Sequence, residues 1–233
     1  MLTIPDSAES LAVGHRRARW AIIGLTANAV LAIAAVIVSA LDIWRLTSLA
    51  SRGNIPDIDT ALEDTLLFTI WLVQAAIGIL QVLALIFTAV LFLLWIHRAY
   101  GNLLLLGVQK QDLKYSPGWA VGWFFIPIAN LVMPFLVVSE IWKASSPNLN
   151  PLDSASWKAR RTPRLLFIWW AFWIVSVLLG QVAARLIMAS ETIESNITSA
   201  WVTLVSDLGT AIAAVLAALI VRGIDRRQKR ATY

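Results

Sequence analysis

The sequence predicts an all-α, polytopic helical membrane protein. It should have four transmembrane helices plus a Pro-broken re-entrant or interfacial helical hairpin. Three observations carry that prediction. Of 233 residues, 59% are hydrophobic and only 14% charged, with mean hydropathy +0.73. A soluble domain has about a quarter of its residues charged, and one core at this length could not hide so much apolar surface. Four apolar runs each have the length needed to cross ~30 Å of hydrocarbon. Basic residues gather in alternate connections, as they do on the cytoplasmic side of membrane proteins.

The same totals exclude several classes of function. Cysteine is absent, so no disulfide, thiolate nucleophile or cysteine metal site is expected. The net charge of +5 and pI near 10.0 belong to the basic connections, and no nucleic-acid partner is expected. No stretch between apolar runs is long enough for a sizeable soluble domain.

Residues 1–19 read as a cytoplasmic N-tail ending in His15, Arg16, Arg17 and Arg19. Residues 20–222 read as one membrane domain. Its first span is 20–41, a run of 22 residues. That is longer than the apolar core of a signal peptide, about 7–15 residues, so the span is expected to be retained. Trp20 and Trp44 bracket it as interfacial anchors.

Asp42 to Asp64 reads as an acidic loop broken by Gly53, Asn54 and Pro56. Thr60 and Glu63 have capping-box spacing, which would start the second helix near Ala61. The second span is 66–96, with Trp71 and Trp95 again at its two ends. Gln74 and Gln81 lie two turns apart on one face, with Gly78 between them on the same side. An amide in hydrocarbon wants a partner on another helix, and Asn28 and Gln181 are the candidates. Interhelical bonding is one reading and the lining of a polar pathway the other.

His97 to Tyr115 is a polar connection, and Asn148 to Thr162 a basic one. Thr162-Pro163 is a hydroxyl cap followed by proline at the first helical position, which opens the third span, 165–188. A short polar turn, Glu191 to Ser199, leads to the fourth span, 200–221. Residues 223–233 form a basic cytoplasmic tail. From Arg222 to Arg230 the chain carries Arg222, Arg226, Arg227, Lys229 and Arg230. These should hold anionic lipid head groups at about 1 kcal/mol each.

With both termini cytoplasmic, 16 of the 19 Lys and Arg face inward and only Arg45, Arg52 and Arg185 face out. The stretch 116–145 has basic flanks on both sides. A full crossing would invert the last two spans and put the basic tail outside. It is therefore expected to enter and leave on the cytoplasmic side. Ser116-Pro117 caps a first half-helix, Gly118 to Ile126. Pro127 breaks it, Asn130 satisfies freed backbone groups, and a second half runs from Pro134 to about Lys143. Broken backbone at membrane depth is tolerated only where buried in protein or lining water.

The residues of this region carry a resemblance. Trp95, Arg98, Tyr100, Asn102 and Leu103, then SPGWAVGWFFIPIANL from Ser116 to Leu131, Pro134, and EIWKAS from Glu140 to Ser145, are similar to the bacterial membrane family called domain of unknown function 4328. The resemblance covers Trp71 to Ser145 closely and the last two spans more loosely. At Leu131 to Leu136 the chain is more apolar than the family pattern. The resemblance implies a multi-span membrane protein and no assigned activity.

For a site, the candidate polar cluster is Arg98, Asn102, Asn130 and Glu140, all near the cytoplasmic interface. An Arg98–Glu140 ion pair would tie the second span to the broken segment. The alternative is a vestibule in which Arg98 or a half-helix N-terminus attracts an anion. Intramembrane polar residues are Asn28, Gln74, Gln81, Gln181 and Asp207. An intramembrane carboxylate is a functional candidate, but Asp207 has no second carboxylate beside it to relay a proton. His15 and His97 lie on different segments without carboxylates at ligand spacing, so neither a metal nor another cofactor is expected. The expected function is a non-enzymatic membrane module that binds lipid or a protein partner, or a second copy of itself, at its cytoplasmic face. A small solute or ion transporter using 116–145 is the alternative, with a lipid-modifying enzyme third.

Overall fold

The computed structural model describes residues 7–51, 64–146, 154–189 and 192–230. Every regular element among them is helical. Four helices are long and apolar enough to cross a membrane: α1 (Ser7–Ser51), α2 (Thr65–Leu105), α6 (Arg164–Met188) and α7 (Ile193–Arg230). Between α2 and α6 lie α3 (Pro117–Gly122), α4 (Met133–Ala144) and α5 (Ser154–Lys158). The chain is a polytopic membrane protein.

Three of the four long helices outrun their apolar runs. Helix α1 spans 45 residues, roughly 68 Å at 1.5 Å per residue. It carries Asp42 within the helix, where the sequence suggested the start of a loop. Helix α2 continues through the polar residues after His97 to Leu105, and α7 runs through the basic stretch to Arg230. Hydropathy marks the part of a helix that lipid can wet. It is silent about where packing and intrahelical hydrogen bonds carry the helix beyond the bilayer. At its start α2 is capped by Asp64, whose carboxylate accepts the Leu67 N–H at 2.8 Å. The Thr60–Glu63 pair lies outside the described residues.

The packing follows lipid logic. Along α1 the small residues Ala18, Ala21, Ala29, Ala32 and Ala35 are buried, while Ile23, Val30, Ile33 and Ile37 are exposed. Lipid tails solvate large apolar side chains as well as protein does. Small residues at contacts instead let backbones approach closely. Trp20 and Trp44 are exposed, as interfacial anchors should be. The second pair departs from this. Trp95 is only 2% exposed and stacks on Phe92, with ring centroids 5.2 Å apart. Trp71 donates its indole N–H to the Asp42 carboxylate at 3.1 Å. A 24-residue spacing cannot tell a lipid-facing indole from one turned inward.

The helices contribute to two compact units. One comprises 26–85 and 171–215, and the other 1–25, 86–170 and 216–233. In the first, Leu46, Leu49 and Leu67 form a buried cluster joined by Trp71 and Ile197. Polar side chains stitch its helices. Asn28 donates to the Ala84 carbonyl at 3.2 Å, Gln74 to Ser39 Oγ at 3.3 Å, Gln81 to Asp207 at 3.1 Å, and Ser206 to the Ser176 carbonyl at 3.0 Å. Arg45 pairs with Asp64.

The second unit contains the broken segment. Ser116 caps α3 by accepting the Trp119 N–H at 3.2 Å. The α-helix ends at Gly122, four residues before the expected Ile126, and tightens into a 3₁₀ turn, Trp123–Phe125. A second 3₁₀ turn, Ala129–Leu131, precedes α4. Pro127 removes one donor, and short-range bonds recover others. Asn130 N–H reaches Ile126 O at 2.7 Å, and Val132 N–H reaches Ala129 O at 3.0 Å. The Leu131 carbonyl is accepted into the fold by Trp170, whose indole N–H donates to it at 3.0 Å.

Candidate functional site

Glu140 on α4 is the buried acid among the described residues of the second unit, 7% exposed. Its Oε2 accepts the Tyr100 hydroxyl at 2.7 Å, and its Oε1 accepts the Lys114 backbone N–H at 2.9 Å. The Tyr100 hydroxyl in turn accepts the Tyr115 N–H at 2.9 Å. So α2, α4 and the strap Lys114–Tyr115 that leads into α3 meet at one carboxylate. These are the partners of Glu140, in place of the Arg98 that the sequence suggested. Burial, with the Glu140 charge second, raises the Tyr115 phenol above its usual range. From Tyr115 the aromatic contacts continue into the broken segment, edge-on to Trp123 and then to Trp119.

Asn102 joins a second network two residues further along α2. It is 1% exposed and donates to Gln228 Oε1 at 3.1 Å. Gln228 Nε2 reaches both the Ala99 carbonyl at 2.9 Å and Ser145 Oγ at 3.1 Å. This fastens the end of α7 to α2 and to the end of α4. Asn102 Oδ1 accepts no hydrogen bond. Gly14 of α1 lies against this amide: a Cβ there would stand 2.6 Å from Asn102 Nδ2. Arg98 is half-buried, with its stem beside Gly14 and its charge near Arg17. Asn130 stands apart from both networks, and its Oδ1 is buried without a partner.

Beyond Asn102 the surface becomes strongly basic. A cavity of about 400 Å³ is lined by Ser146, Gly223, Arg226, Arg227 and Arg230. Arg227 stacks on the Trp142 indole, 4.0 Å from the ring centroid, and donates to the Trp142 carbonyl at 3.4 Å. Arg160 donates to Ser146 Oγ. Asp225, the acid nearest in sequence, is occupied by His15 and by Lys229, the latter at 3.0 Å. Among the described residues no group of three His, Asp or Glu is placed to hold a metal ion.

A family model described as Domain of unknown function (DUF4328) matches residues 58–226. The chain belongs to this family. No curated protein and no solved structure matches it. Within the DUF4328 match fall the Glu140 network, the broken segment, both glutamines and most of the basic cavity.

Of the polar residues read from the sequence of this DUF4328 chain, Asn102 and Glu140 anchor neighbouring networks in one unit. Asn28, Gln74, Gln81 and Asp207 each make an interhelical bond in the other. Gln181 is exposed and is the partner of neither glutamine. Sequence reasoning missed Tyr100 and Gln228 as the hubs. Both sit inside helices that hydropathy treats as ending earlier. A phenol one turn beyond one apolar run and an amide about two turns beyond another were the available signal.

Proposed function

We propose that the protein is a non-enzymatic membrane module whose basic side faces the cytoplasm and binds lipid or a protein partner there. The observation that carries this reading is the division of labour among its polar residues. Glu140, the carboxylate that chemistry at the inner surface would need, is spent holding Tyr100 and the strap before α3. The arginines of α7 instead line an open cavity. The charge asymmetry supports both termini lying inside. The broken segment supports an arrangement that enters and leaves on that side. Its tip bears exposed apolar side chains, with Ile128 83% exposed, as suits a hairpin dipping into hydrocarbon.

A small transporter is the second reading, favoured by one observation. Within the broken segment, Trp123 Nε1 and Asn130 Oδ1 are buried and unpaired, as groups beside a passing solute or water would be. Reconstituted protein challenged with a broad ion and metabolite panel separates the two. The module reading expects no flux and retention of anionic lipid through purification. Flux that Gln74→Leu and Gln81→Leu abolish would replace it with the transporter.

A further inference from the structure

We propose that the cavity between the ends of α4 and α7 is a phosphate-binding site, and that its occupant is the head-group phosphate of an anionic lipid. The inference rests on the module reading above and deepens it. A diffuse basic tail becomes a formed pocket with named donors.

Three features make the cavity more than a charged surface. The first is the placement of arginines. Arg226 and Arg230 are one helical turn apart on α7, Arg227 lies between them, and all three line the cavity. Arg160 reaches the same rim through Ser146 and adds repulsion to Arg227. Like charges held this close stabilise nothing in the free chain. They become favourable when an anion sits among them, because guanidinium groups match phosphate oxygens in geometry as well as charge.

The second feature is preorganisation. The Arg227 guanidinium is fixed by stacking on Trp142 and by its bond to the Trp142 carbonyl. That bond uses one of five N–H donors. Gly223 makes the stacking possible, since a Cβ there would lie 2.7 Å from the Trp142 ring. The third feature is that no acid stands among the described residues of the lining. Asp225 is already held by His15 and Lys229. The volume, about 400 Å³, falls in the ordinary range of small-ligand pockets, about 300–1,000 Å³.

The position points to lipid as the source of the phosphate. The cavity begins at Gly223, immediately after the last apolar run ends at Val221. A helix emerging from hydrocarbon places these residues at head-group depth, where anionic lipids are the concentrated phosphate.

The test uses the full-length protein in a neutral detergent. Thermal stability is followed on titration with phosphatidic acid, phosphatidylcholine and inorganic phosphate. Phosphatidic acid is expected to raise the midpoint at concentrations where phosphatidylcholine does not. Arg226→Gln and Arg230→Gln should each weaken that binding about tenfold or more, the loss of a charge-assisted contact. Arg222→Gln is the control. It removes the same charge from the same helix outside the cavity, and should cost no more than about fivefold, the general electrostatic share. Equal losses at all three positions would overturn the pocket and leave only a polybasic surface. Stabilisation by inorganic phosphate alone would keep the phosphate site but overturn the lipid assignment. Binding in detergent does not depend on which way the protein faces a membrane. A failure here therefore counts against the pocket, while wrong-side labelling of the reconstituted chain counts against the module reading.

Discussion

Removing the Tyr100 hydroxyl should loosen the broken segment from the rest of its unit. In Tyr100→Phe the ring stays, so the packing of a fully buried side chain is preserved. Two hydrogen bonds are lost. One is the charge-assisted bond to Glu140 Oε2 at 2.7 Å, worth about 1.5–3 kcal/mol. The other is the bond from Tyr115 N–H at 2.9 Å. That amide is only half-buried and can recruit water, so about 1 kcal/mol is the fair share. The expected destabilisation is about 2.5–4 kcal/mol. Glu140→Gln should cost a similar amount, because a carboxamide presents one acceptor where two donors, Tyr100 and Lys114, now converge. The two substitutions touch one network, so the double variant should lose clearly less than their sum. Unfolding in mixed micelles, followed by tryptophan fluorescence, gives the energies. Amide exchange at Lys114 and Tyr115 reports the strap directly and should accelerate in both variants. A Tyr100→Phe protein within about 0.5 kcal/mol of the parent, with unchanged exchange at those amides, would refute the anchoring argument.

Other outcomes follow from single contacts. Gly14→Ala drives a methyl to 2.6 Å from Asn102 Nδ2 and should cost about 1–3 kcal/mol. Gly78→Ala meets nothing within 4 Å, so the same unfolding assay should find it neutral or slightly stabilised. Arg45 holds the Asp64 carboxyl below its usual value of 3.8. A depressed folded pKa means stability that is present above about pH 4 and lost as pH falls through the folded value. Asp64→Asn should flatten that acid limb, by under about 1 kcal/mol because the pair is near solvent. Asp64→Ala should cost about 1 kcal/mol more through loss of the cap. Gln81→Leu removes a bond inside the membrane unit and should cost only about 0.6 kcal/mol.

The four spans were legible because crossing hydrocarbon imposes a length and a composition on each segment separately. The break at Pro127–Asn130 was legible for a similar local reason, since proline removes a donor wherever it stands. Helix ends were less so. Asp42, Tyr100 and Gln228 lie in stretches whose composition suits a loop, and only their partners on other helices show why the helix continues. The same limit applies to the site. The sequence could single out Glu140 as a carboxylate near the interface. It could not choose between Arg98 and Tyr100 as its partner, because that depends on how α2 is rotated. Trp71 and Trp95 make the same point, since spacing along one helix carries no information about which face meets lipid. The arginines of α7 were plain as a charge run. Their arrangement around a cavity required Trp142 of α4 and Ser146 just beyond its end.

The side of the membrane reached by the broken segment is the most direct test of the whole account. The chain has no native cysteine, so Asn130→Cys in sealed, right-side-out vesicles offers one thiol to a membrane-impermeant reagent. If the segment enters and leaves on the cytoplasmic side, no labelling occurs until the vesicles are opened. Labelling of the intact vesicles from the outside would contradict that arrangement, and would make residues 116–145 a fifth crossing.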